Sequence, residues 1–169
     1  MYYRAYSSVI SDFVTDIYFR DTTHAFDVTY GSGAKWFVAV HIGNAAYECE
    51  LNVWDKPVPG KSIRYLKDKQ GNTVAAVLFM GGKTNLLRCG GKQYTLMCVG
   101  DAWMAFSEKG NLVFCTRYSN GAASVPGYAR EYIQGMDGRQ KEMIVDDDLP
   151  FFVQAVLASA GGMAFTERK

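Results

Sequence analysis

The chain has no apolar run long enough to cross a bilayer as a helix. Its longest candidate, Phe151 to Phe165, covers about fifteen residues against the ~20 that a hydrocarbon core requires, and Gln154 and Ser159 interrupt it. It has no Cys-x-x-Cys pair. The four cysteines, Cys49, Cys89, Cys98 and Cys115, are scattered, which excludes the common zinc and dithiol spacings. Charge of one sign is lacking too. Eighteen Lys and Arg stand against seventeen Asp and Glu, for a net +1, so no general electrostatic pull toward nucleic acid exists. Two histidines leave little material for an acid–base constellation. The start, Met1-Tyr2-Tyr3-Arg4-Ala5-Tyr6, lacks the apolar core and small-residue cleavage site of a secretory signal. The expectation is a cytoplasmic protein whose cysteines are reduced packing residues.

What is abundant is aromatic side chain and glycine: eleven Tyr, ten Phe, three Trp and seventeen Gly. At 169 residues the chain reads as one domain, 1–169, large enough for a core without disulfide or metal staples. Residues 1–12 read as an N-terminal arm packed on the body, or as a short first strand. Beyond them apolar residues alternate with period two. The segments are Phe13 to Phe19, Ala25 to Tyr30, Lys35 to Ile42 and Ala46 to Trp54. Ser62 to Leu66, Thr73 to Phe79, Thr84 to Cys89 and Lys92 to Val99 follow. Ala102 to Phe106, Leu112 to Tyr118, Gly127 to Gln134 and Arg139 to Val145 complete the series. Turn signals such as Gly43-Asn44, Gly90-Gly91 and Asp137-Gly138 separate them. The loop Asp55 to Gly60 carries two prolines, which keeps it out of any central strand.

About twelve strands in a meander with no crossover helices suggest an antiparallel barrel, since closure removes exposed edges. A barrel that wide cannot be filled by its own wall. The one helical stretch, 150–165, is apolar on every side and must be enclosed. Asp146-Asp147-Asp148 and Pro150 read as its start, acids favouring the positive end of the helix dipole. The expected fold is therefore mainly β, a barrel of about twelve strands around a central apolar C-terminal helix. Small residues at Ala155, Ala158, Ala160, Gly161 and Gly162 would let wall side chains approach the helix axis.

The final strand Lys141-Glu142-Met143-Ile144-Val145, the acidic step, the apolar run from Leu149 to Phe165, and the Gly-Asn turns at 71–72 and 110–111 resemble the tubby C-terminal-like superfamily. That superfamily includes tubby proteins, LURP-one-related proteins and phospholipid scramblases. The resemblance implies a plugged twelve-stranded barrel and, from tubby proteins, phosphoinositide binding through basic residues on the barrel wall. Scramblase-like members are proposed to bind calcium before the helix. Here Asp137-Gly138-Arg139-Gln140 lacks alternating oxygen ligands, and no palmitoylated cysteine-rich segment is present.

Read for chemistry, the chain offers little. His41 reads as a hydrogen-bonded structural residue and His24 as a turn residue. Gly81-Gly82-Lys83-Thr84 fails as a phosphate loop, because Val77 stands where a glycine is needed and a strand follows. The basic residues Arg64, Lys67, Lys69, Lys83, Arg88 and Lys92 fall across three hairpins and could form one patch for an anionic headgroup, against a plain solvated surface. The reading that results is a non-enzymatic binding module or adaptor without cofactor or metal. It would recognise anionic phospholipid and sit peripherally at membranes. A structural or protein-interaction domain is the alternative, and an enzyme with an unrecognised site stands behind both.

Overall fold

The structure, a computed structural model, describes residues 1–10, 12–20, 23–32, 36–51, 56–81, 84–99, 102–120 and 136–165. The strands are β1 (Tyr2–Ile10), β2 (Phe13–Arg20), β3 (Thr23–Gly31), β4 (Phe37–Ile42), β5 (Ala45–Glu50) and β6 (Ile63–Lys67). They continue as β7 (Thr73–Phe79), β8 (Thr84–Cys89), β9 (Lys92–Val99), β10 (Ala102–Phe106), β11 (Leu112–Asn120) and β12 (Met136–Val145), and the helix is α1 (Phe151–Phe165). Each strand pairs antiparallel with its chain neighbours, and β1 pairs with β12, so the sheet is a closed barrel. Closure leaves neither β1 nor β12 as a free edge to template aggregation. The two-residue turn between Cys89 and Lys92 needs a left-handed backbone at both positions. Gly90 and Gly91 supply it, at φ of 61° and 73°.

The count of twelve matches the sequence pattern, but the membership differs. The first residues are not an arm: β1 pairs from Tyr2↔Ile144 onward and closes the barrel. The expected strand Gly127 to Gln134 lies outside the described residues. Asp137-Gly138 is not a hairpin turn but part of β12, which runs from Met136 beside β1 and meets β11 at Asn120↔Arg139. Pairing with β1 before and after the dipeptide, at Ser8↔Met136 and Tyr6↔Gln140, outweighs the local turn signal, and the register shifts between the two pairs. β5 also ends at Glu50, although Leu51 still donates its N–H to the Trp36 carbonyl at 2.9 Å.

α1 fills the lumen. Every residue from Val153 to Ala160 is buried. The helix packs on β3, β4, β7, β8 and β9, while Tyr3 of β1 donates its hydroxyl to Gln154 Oε1 at 2.9 Å. Contacts from opposite sides of the sheet explain why the helix carries no polar stripe. Its two polar residues are satisfied inside. Gln154 Nε2 donates to the Leu149 carbonyl at 2.8 Å, and Ser159 Oγ donates to the Val156 carbonyl at 2.7 Å. Gly161 and Gly162 are the points of closest approach: a Cβ on Gly161 would overlap the Trp103 indole, and one on Gly162 the Tyr30 ring.

The acidic step does not cap the helix as the sequence suggested, since no acid lies in the first helical turn. Asp146 instead builds a turn. Its carboxylate accepts the Asp148 N–H at 3.0 Å and its carbonyl accepts the Leu149 N–H at 3.2 Å. Asp147 pairs with the amino group of Met1. At the other end, the wall caps the helix. Arg64 Nη1 donates to the Met163 carbonyl at 2.7 Å, and Asn85 Nδ2 donates to the Ala164 carbonyl at 3.4 Å. A guanidinium at the negative end of the helix dipole replaces the basic residue that the last turn lacks.

The barrel thus has two distinct mouths. The β4–β5, β6–β7, β8–β9 and β10–β11 turns and the start of α1 surround one, the upper mouth. The end of α1, with Arg64 and Asn85, faces the other.

Candidate functional site

Strand parity sorts the basic residues expected to form a patch. In β6, Ile63, Tyr65 and Lys67 are exposed while Arg64 and Leu66 are buried. Arg64 therefore leaves the surface set. It lies inside, 7% exposed, with its guanidinium 4.8 Å from the centre of the Phe79 ring. Lys83 lies outside the described residues. Lys67, Lys69, Arg88 and Lys92 are all exposed and flank the β6–β7 and β8–β9 turns. The pairing Ala75↔Cys89 brings these two turns to the upper mouth side by side. Asp68, between the two lysines, is engaged locally: its carboxylate accepts the N–H groups of Gln70 at 3.0 Å and Asn72 at 2.9 Å. Arg88 Nε donates to Gln93 Oε1 at 3.3 Å.

Two grooves run between these strands. The larger, about 650 Å³, lies between β5 and β6, with His41, Glu48 and Glu50 on one side and Tyr65, Lys67 and Lys69 on the other. It follows from poor pairing: among the described residues Glu48↔Lys67 is the one register pair between these strands. The smaller, about 440 Å³, holds Arg88 and Lys92 near Glu108, whose carboxylate accepts the Gln93 N–H at 2.9 Å.

His41 lies in the strand where the sequence put it, and His24 does not lie in a turn. His41 is exposed on the outer wall opposite Asp27 across the β3–β4 ladder. His24, near the start of β3 rather than in a turn, bonds through Nε2 to the same Asp27 carboxylate. Spacing could have hinted at the His24–Asp27 pair, three residues apart. The placing of His41 opposite Asp27 depends on register, which no local signal carries. Two of the four cysteines are withdrawn from solvent, while Cys98 and Cys115 are half-buried. Cys49 and Cys89 are buried, and burial pushes their thiols up to about 12 and about 11, so both stay protonated at neutral pH. Among the described residues, no group of three His, Cys, Asp or Glu is placed to hold a metal ion.

Among the described residues, one ion pair is inside the wall. Lys141 Nζ donates to Asp16 Oδ2 at 3.1 Å, and Ser7 Oγ donates to Asp16 Oδ1 at 2.5 Å. Asp16 and Lys141 are both buried and link β2 to β12 across β1. Both charges are compensated, as burial demands.

These features define a class: a closed antiparallel barrel plugged by its own C-terminal helix, with its solvent-accessible chemistry on the outer wall and upper mouth. No family model, curated protein or solved structure matches the chain.

Proposed function

We propose that the chain is a non-enzymatic binding module whose upper mouth recognises the anionic headgroups of phospholipids, phosphoinositides among them, from the cytoplasmic side of a membrane. The observation that carries this reading is the convergence of Lys67, Lys69, Arg88 and Lys92 on two adjacent hairpins. Asp68 is the one acid between the lysines, and the turn amides hold its carboxylate. Each basic residue near an anionic leaflet contributes about 1 kcal/mol. Four acting together raise partitioning by a factor on the order of 10³ at low salt, and less as salt screens them. The occupied lumen favours surface recognition over a carrier that encloses its ligand. The likeness to tubby C-terminal-like proteins supports the same reading by analogy of fold, a weaker kind of support than the site itself.

The test is cosedimentation with phosphatidylcholine vesicles, with and without phosphoinositide, at low and physiological salt. Binding should require the anionic lipid. It should disappear in the triple variant Lys69→Glu, Arg88→Glu, Lys92→Glu while the thermal transition is kept. Absence of binding at low salt, or equal binding by the triple variant, removes the proposal.

A further inference from the structure

Two unbroken rows of cross-strand partners on the outer wall are almost wholly apolar. One runs Ile63↔Leu78↔Leu86↔Thr95↔Phe106↔Leu112, from β6 to β11. The next runs Thr84↔Met97↔Met104↔Cys115↔Ile144↔Tyr2, from β8 round to β1. The outer face of β3 to β5 contrasts sharply, with Asp27, Thr29, His41, Glu48 and Glu50. The barrel is therefore two-faced on its outside, even though its core is complete within.

We infer that this apolar wall is where a second copy of the chain docks, wall against wall. Ile63, Met97, Leu112, Ile144 and Tyr2, with Met80 and Val99 beside them, are each between 38% and 56% exposed. Met97, Leu112 and Ile144, on the neighbouring strands β9 to β12, form the compact centre of this wall, with Met104, Phe106 and Cys115 half-buried between them. The borders identify the occupant. Arg88 and Glu108 flank the wall on the upper side, and the pair Arg4↔Glu142 flanks it on the lower. A border of both signs complements itself under a two-fold axis. An anionic bilayer would favour a border of basic residues alone.

The experiment is sedimentation of the full chain from micromolar to millimolar concentration. Wild type should reach twice the chain's mass. Met97→Glu and Ile144→Glu should each weaken association about 100-fold, as loss of a central contact does. Val58→Glu, an exposed position outside both rows, should leave association unchanged. A near-ultraviolet circular dichroism spectrum checks that each variant keeps its packing. A wild type that stays monomeric throughout overturns the inference, as does a dimer indifferent to both wall variants. So does a monomer that binds uncharged phosphatidylcholine vesicles through Met97, which would assign the wall to a bilayer.

Discussion

Adding one methyl group at Gly161 tests whether the helix lies inside the sheet. The new Cβ would overlap Nε1 of Trp103 and sit 2.8 Å from two ring carbons. The indole cannot easily move aside: it is stacked on Phe114 at 4.2 Å between centroids and is largely buried. Overpacking of this kind costs about 1–3 kcal/mol. Ala is a better helix former than Gly by up to about 1 kcal/mol, which acts in the opposite direction. The steric term wins, so Gly161→Ala should destabilise by about 1–2 kcal/mol, or lower the melting temperature by roughly 3–6 °C for a chain of this size. Thermal unfolding followed in the near-ultraviolet reads this directly. The clash should ease in a Trp103→Leu background, giving a coupling of about 1 kcal/mol between the two positions. The sign carries the reasoning. A Gly161 facing water would show the propensity gain alone, so a melting temperature raised by the substitution would refute the packing of the helix against Trp103.

Asp16→Asn should cost about 3–5 kcal/mol, because it takes the ionised Asp16 carboxylate away from the buried Lys141 ammonium. The double variant Asp16→Leu, Lys141→Met should come back close to wild type. Urea unfolding distinguishes these outcomes, and a loss below about 1 kcal/mol for Asp16→Asn would show that water reaches the pair. The buried Cys49 thiol predicts alkaline sensitivity. Its folded value lies at about 12 against an ordinary value of 9.0. The contribution is fully present below 9.0 and is lost as pH rises through about 12, at roughly 1.4 kcal/mol per pH unit between them. Urea midpoints at pH 8 and pH 10.5 should fall further in wild type than in Cys49→Ala. Equal losses in both proteins would count against this account.

The strand assignments show what kind of information the sequence holds. Thr73–Phe79, Thr84–Cys89, Lys92–Val99 and Ala102–Phe106 lie where alternation and flanking turn signals put them. In these segments local periodicity and the buried face agree. β1 and β12 did not read as cleanly. Tyr2, Tyr3 and Tyr6 do not alternate visibly with polar neighbours, and Asp137-Gly138 imitates a turn. Both segments become strands because each lies between two partners at the closure of the barrel. A local pattern cannot express that constraint.

The same division runs through the candidate sites. Six basic residues clustered along the chain, but strand parity sent Arg64 inward to cap the helix, while the described Lys67, Lys69, Arg88 and Lys92 stayed at the surface. Parity was legible in β6, where exposed and buried positions alternate, once the face turned toward the lumen was known. The contact of His41 with β3, the Asp16–Lys141 pair and the apolar outer wall were not legible, because each joins residues distant in the chain through ladder register.

What the sequence determined alone was the architecture. Repeated two-residue periodicity required a sheet, its length and turns required closure, and a helix apolar on every side required a place away from water. What tertiary structure decided was which side chains meet. Register and closure are collective properties of twelve strands, and a shift of one residue in any ladder would exchange its inner and outer faces.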